Sequence, residues 1–197
     1  MAVVCNKVKG KKKLRVAVEQ KEYSQSEIIE FVKKAIGGSF IAFGEIYNIY
    51  LNRIYRYVYY QINDRMAAED ITEDVFVKAW KAIKSCNGKE ATFSSWLYRI
   101  AHNHLVNTLR RENKLTSIEN IEVTGMNKPE VVAEANAEYQ ELMRNITCLP
   151  ENQKQVIILK FIEGLDNREI GKVTGKSEGA IRISQMRALA TLREKLG

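Results

Sequence analysis

The sequence predicts an all-α protein of two small helical domains joined by a linker, the C-terminal domain carrying a helix-turn-helix. Three observations lead there. Apolar residues recur at three- and four-residue spacing through nearly every long segment, and no segment alternates as a strand does. The two prolines, Pro129 and Pro150, fall where the helical pattern pauses. At 197 residues and 45% hydrophobic content, the chain has apolar material enough for packed cores.

Residues 1–22 read as a basic leader, a solvated tail with Lys7, Lys9, Lys11, Lys12, Lys13, Arg15 and Lys21 against Glu19 and Glu22. The first domain is placed at 23–112. It opens on Ser24 and Glu27, a capping-box pair that satisfies free helix amides reciprocally. Ile28, Phe31, Val32 and Ala35 supply that helix's inner face, and Gly37-Gly38 ends it. A second helix over about 39–61 carries Phe40, Phe43, Tyr47, Tyr50, Ile54, Tyr57 and Val58 as its stripe.

Asn63-Asp64 is a turn and cap, and a third helix follows with Ile71, Val75, Phe76, Ala79, Trp80 and Ile83 on one side. Its other side runs from Glu69, Asp70, Glu73 and Asp74 to Lys78, Lys81 and Lys84, the order the helix dipole favours. After a polar loop at 85–92, Thr92 or Ser94 caps a fourth helix that reaches about Arg111. Phe93, Trp96, Leu97, Ile100, Ala101, Leu105 and Leu109 form its packed side.

Periodicity fades over 113–130, the linker, where Gly125, Asn127 and Pro129 break any helix. The segment from Ser117 to Glu141 is acidic, with six glutamates against Lys128. The second domain, 131–197, holds helices at about 130–147, 151–163, 167–173 and 178–196. Asp166 to Glu169 is another capping box, Gly175 stands where a tight turn needs a left-handed residue, and Ser177 caps the last helix. Ile181, Ala188 and Leu192 line its inner stripe.

A short helix, a glycine turn and a longer helix place the second helix in the DNA major groove. Lys176, Ser177, Glu178, Arg182, Ser184 and Arg187 lie on or near its accessible side. Arginine holds guanine through two hydrogen bonds, while lysine and serine anchor phosphate. The net charge of +7 agrees with a polyanionic partner.

Other function classes lose ground on the same residues. Cys5, Cys86 and Cys148 are odd in number and lack a CxxC, so neither a disulfide framework nor a zinc motif is expected. His102 and His104, two apart, diverge on a helix. No phosphate loop, metal cluster or nucleophile constellation is present, so no cofactor, metal or catalytic residue is expected and the chain is not read as an enzyme. No apolar run approaches the roughly 20 residues of a membrane span, and the basic leader lacks the apolar stretch of a signal peptide, so a cytoplasmic location is expected.

Several motifs in order resemble the extracytoplasmic-function (ECF) sigma factors of bacterial RNA polymerase. Ala42-Phe43, Ile46-Tyr47 and Tyr50 are similar to the family's opening AF..LY..Y pattern. The run Ala68 to Phe76 with Ala79-Trp80 resembles AED..QE.F...W, and Phe93 to Asn103 resembles F..WLY.IA.N. Arg110-Arg111, Leu149-Pro150 and Glu169-Ile170-Gly171 fall where the family has its helix end, its second-domain opening and EIA.

The resemblance implies core RNA polymerase and promoter DNA as partners, with transcription initiation as the activity. It implies that Asp70, Glu73, Asp74 and Phe76 dock on the polymerase, Glu73 replacing the family's usual glutamine. It implies that loop 85–92, with Tyr98, Arg99, Asn103, Asn107, Arg110 and Arg111, reads and opens the −10 element by capturing an unstacked base. The helix-turn-helix would read the −35 element, although Ala180 stands where the family commonly has threonine and Ser184 where a basic residue is frequent. An anti-sigma partner is implied as well.

Two rivals explain less. A stand-alone helix-turn-helix regulator accounts for the last domain and leaves the first domain's motifs unused. A helical adaptor, or an anti-sigma protein that binds only proteins, leaves the basic helices unused.

Overall fold

The computed structural model describes residues 23–86, 92–116 and 137–196. The expected basic leader, loop positions 87–91 and the acidic linker from 117 onward lie outside the described residues. Among the described residues every regular element is helical.

In the first body, α1 (Gln25–Ile36) starts on the expected capping box. The Glu27 amide donates to Ser24 Oγ at 3.3 Å, and the Ser24 amide donates to Glu27 Oε2 at 2.8 Å. Ser39 caps α2 (Phe40–Ile62), which ends at Asn63 with a left-handed φ of 54°, a conformation asparagine tolerates. Asp64 then caps α3 (Arg65–Ala82) by accepting from the Ala67 amide at 3.0 Å. A 3-10 turn at Ile83–Ser85 closes the hairpin. Thr92, one of the two expected caps, starts α4 (Phe93–Thr116) by accepting from the Ser95 amide at 3.2 Å. This helix continues past Arg111, where the sequence stripe fades.

Ile46, Ile54, Tyr57, Val58, Val75, Ala79, Leu97 and Ala101 are buried where these helices meet. Aromatic pairs fill the wider gaps: Phe43 against Trp80 at 5.0 Å between centroids, and Tyr47 against Phe76 at 4.7 Å. Each such side chain adds about 1.5–3 kcal/mol of hydrophobic stabilisation.

The second body holds α5 (Ala137–Thr147), α6 (Glu151–Ile157), α7 (Asn167–Thr174) and α8 (Glu178–Leu196). The single helix expected over 151–163 is instead α6 followed by a π turn at Ile158–Ile162, closed by the Glu163 amide donating to the Ile158 carbonyl at 3.0 Å. Residues 154–159 are all buried, more than one stripe can hide, because α6 is packed by α5 and α8 and also by α2 of the first body. The two bodies thus touch, chiefly through α4 against α7 and through α2 against α6 and the π turn.

Candidate nucleic-acid and polymerase interfaces

The turn between α7 and α8 is built by two glycines. Gly175 adopts a φ of 70°, open to glycine without strain. At Gly171 an added Cβ would stand 2.7 Å from the Lys176 carbonyl oxygen, so the chain passes too close for a side chain. Ser177 Oγ accepts from the Ala180 amide at 3.3 Å, and Ile181, Ala188 and Leu192 are buried.

This leaves Ser177, Glu178, Arg182 and Arg187 exposed, with Lys176 and Ser184 half-buried. Lys176 Nζ donates to Asn152 Oδ1 at 2.6 Å, and Arg182 lies 3.4 Å from Glu178, a loose pair one turn apart. Arg182 and Arg187 flank the helix, roughly 140° apart around its axis. Between them stand Ile183 and Met186, both exposed, which no sequence motif singles out.

On α4, Arg99, Asn103, Asn107, Arg110 and Arg111 are all exposed, and their three- and four-residue spacing makes one continuous stripe. Tyr98 does not belong to it. The expectation of an accessible Tyr98 is corrected: the residue is fully buried, its ring lies 5.4 Å from that of Tyr57, and its hydroxyl donates to Glu163. Burial, with the Glu163 carboxylate beside it, pushes this phenol well above the usual tyrosine range and keeps it a donor.

On α3, Asp70, Glu73 and Asp74 form an exposed acidic face. Phe76 is a second correction. It is 4% exposed and packs into the core against Tyr47, because it shares the side of Thr72, Val75 and Ala79. Val77, 50% exposed and one turn past Glu73 and Asp74, is the apolar neighbour of that face. His104 reaches over from α4. Its Nε2–H donates to Asp74 Oδ2 at 2.9 Å while Lys78 Nζ donates to Nδ1, the pattern of a neutral imidazole. Burial first and Lys78 second lower its pKa below the ordinary histidine value, against the pull of Asp74.

Among the described residues no three His, Cys, Asp or Glu side chains converge as metal ligands, and no helix is long and apolar enough to cross a membrane.

A further cluster joins the two bodies and has no counterpart in the sequence reading. Glu163 accepts from Arg53 and Arg56 as well as from Tyr98. Lys154 Nζ donates to the Gln61 carbonyl at 3.0 Å, Gln155 Nε2 donates to the Tyr57 hydroxyl at 3.1 Å and also meets His102, and Thr92 Oγ1 donates to Glu169. The available signal was weak: of the polar residues at 154, 155, 163 and 169, only Glu163 interrupts an apolar run, and the others stand in polar stretches.

Residues 46–115 match the family model for Sigma-70 region 2, and residues 139–192 match that for Sigma-70, region 4. The chain is 30% identical over 175 residues to the ECF RNA polymerase sigma factor BldN of Streptomyces coelicolor, across 87% of this chain and 66% of that protein. It is 28% identical over 178 residues to the ECF RNA polymerase sigma factor SigW of Bacillus subtilis, across 84% of this chain and 94% of that protein. Its fold is similar to that of the sigma factor RpoE from Bartonella quintana, solved in complex with the anti-sigma factor NepR. The TM-score is 0.67 at 20% identity, covering 77% of this chain and 94% of that one. With both sigma regions present in order, on a two-body helical fold, the chain belongs to the ECF sigma factors, promoter-recognition subunits that act with RNA polymerase.

Proposed function

We propose that this sigma factor docks on core RNA polymerase through Asp70, Glu73 and Asp74 of α3, with Val77 at the edge of the contact. In this reading Arg99, Asn103, Asn107, Arg110 and Arg111 of α4 follow the −10 element. Lys176, Ser177, Glu178, Arg182, Ser184 and Arg187 of α8 read the −35 element. One observation carries the assignment. Outside the core, the motif-bearing residues fall on three separate exposed faces, one acidic on α3 and two with exposed arginines on α4 and α8. An acidic face suits a protein partner and repels phosphate, whereas exposed arginines suit DNA.

Residues 23–112 act as the region 2 domain, 131–197 as the region 4 domain, and 113–130 as the tether. Loop 85–92 captures an unstacked base. The protein works in the cytoplasm as a regulatory subunit without catalytic chemistry of its own. An anti-sigma protein restrains it, as the NepR complex of the similar RpoE suggests.

Run-off transcription with core polymerase on genomic promoter fragments tests the reading. The expected result is initiation at discrete sites only when the chain is added. Equal initiation with and without it would reject the proposal.

A further inference from the structure

On α3, Glu69 is engaged by Arg65 at 3.0 Å, which leaves Asp70, Glu73 and Asp74 to make the acidic face. One cation lies within helical reach of those carboxylates. Lys78 stands four residues past Asp74, the spacing at which a lysine pairs directly with an acidic side chain. Such a pair would cancel one of the charges on the face.

Among the described residues the direct pair does not form, because His104 of α4 stands between the two. Its Nε2–H donates to Asp74 Oδ2 at 2.9 Å, and its Nδ1 accepts from Lys78 Nζ. The ring sits at the rim of the core, 15% exposed beside an Asp74 that is 63% exposed. Val75, Ala79, Ala101 and Leu105, near neighbours of these residues along the two helices, are buried and fix the approach of α4 to α3. The bond engages one oxygen of Asp74, and a neutral ring cancels no charge.

We propose that His104 is a positioning residue for polymerase docking: it holds Lys78 off Asp74, so keeping the α3 face acidic, and its protonation weakens docking. The inference rests on the docking reading of α3 given above. A neutral imidazole donates at one nitrogen and accepts at the other, whereas the imidazolium donates at both. A proton taken from water at Nδ1 therefore displaces Lys78. The new cation then sits on Asp74, and the freed ammonium stands within reach of the same carboxylate.

The charged groups that face the ring are Asp74 and Lys78 from α3 and Arg111 from its own helix. Burial and then Lys78 hold the ring below the ordinary histidine value, Arg111 adds to them, and the bond and charge of Asp74 oppose them. The ring is thus neutral near pH 7 and charges as the medium turns acid. Docking on a basic partner surface is strongest on the neutral side of that change.

The full chain is titrated against core polymerase at low salt, at about pH 7.5 and about pH 5.8, on either side of the ordinary histidine value. Wild type, His104→Ala, Lys78→Met and the two substitutions combined are compared. The combined variant carries neither the ring nor the lysine and so reports the polymerase's own response to pH. Relative to it, wild-type affinity should fall by roughly two- to fivefold on acidification. At about pH 7.5 His104→Ala should bind roughly two- to fivefold more weakly than wild type, since Lys78 then pairs with Asp74. Adding Lys78→Met should restore affinity to within about twofold. Lys78→Met alone, which leaves the packing of α3 on α4 in place, should bind at least as tightly as wild type.

Ring-proton NMR of the free chain supplies an arm without polymerase, the His104 signal being the one lost in His104→Ala. It should titrate below 6.5 in wild type and move upward in Lys78→Met. An unshifted titration, or His104→Ala bound as tightly as wild type, would overturn the inference. So would a loss that Lys78→Met fails to restore, which would reduce His104 to a brace between α3 and α4. Absence of polymerase binding by wild type would reject the docking reading and this role with it, whereas a wild type that binds while the variants match it rejects the role alone.

Discussion

Tyr98 and Glu163, 65 residues apart, share a hydrogen bond inside the molecule, so a tyrosine in the family's WLY motif fastens one body to the other. Tyr98→Phe keeps the ring against Tyr57 and deletes only the donor. It should cost about 1–2 kcal/mol in denaturant unfolding, since a buried charged acceptor loses one bond. Arg99→Ala, next in sequence yet exposed, should stay within about 0.5 kcal/mol of wild type. Equal stability of Tyr98→Phe and wild type would place the hydroxyl in water rather than on Glu163.

The faces on α3 and α8 should separate docking from upstream recognition. Asp70→Ala should weaken core polymerase binding by roughly 1 kcal/mol, mostly through slower association at low salt, as expected of an exposed charge. Arg182→Ala should leave core binding intact. Equal loss of core affinity in both variants would contradict this division.

Arg182 and Arg187 flank α8, and holoenzyme binding to a promoter fragment distinguishes what each touches. An arginine held bidentate by guanine should cost about 1–3 kcal/mol of discrimination when replaced by alanine, at one base pair only. One on phosphate should weaken all sequences alike and reduce the salt slope by about 0.9. No effect from either substitution would remove α8 from the DNA.

Much of this was legible in the chain. Both capping boxes, the Asn63-Asp64 turn and the Gly175 turn are local chemistry, fixed within three or four residues, and each stands where expected. Faces were legible where spacing settles them, as with Arg99, Asn103 and Asn107. Tyr98 went astray because a polar-tipped aromatic reads as accessible until its neighbours are known, and Phe76 because the resemblance set it on the docking face against its place in the helix's apolar stripe. The π turn and the Glu163 cluster were not legible at all, because both depend on α2, with Arg53 and Arg56 110 and 107 residues earlier in the chain, and on α4, with Tyr98 65 residues earlier.

The close turn of the helix-turn-helix gives a stability prediction. Gly175→Ala forces a Cβ into φ 70° and should cost about 1–2 kcal/mol in thermal or denaturant unfolding. Gly171→Val should cost more, since even its Cβ meets the Lys176 carbonyl oxygen at 2.7 Å and backbone must move. Tolerance of Gly171→Val without loss of melting temperature would mean that α8 is not held this close to α7.

Acid should weaken the fold through the chain's two histidines. Burial is the main cause that lowers both from the ordinary histidine value of 6.5, with Lys176 adding to it at His102 and Lys78 at His104. Each folded-state pKa therefore lies below the unfolded one. As pH falls through 6.5 the unfolded chain takes up protons first, so stability is fully present above that value and drains away below it. At His102 the proton would also displace the bond with Gln155 at the seam. The melting temperature should accordingly fall between about pH 7.5 and 5.5, a window above the ordinary carboxylate range. His102→Gln with His104→Gln should flatten that slope. A wild-type melting temperature constant across the window would show that both imidazoles titrate as they do in the unfolded chain.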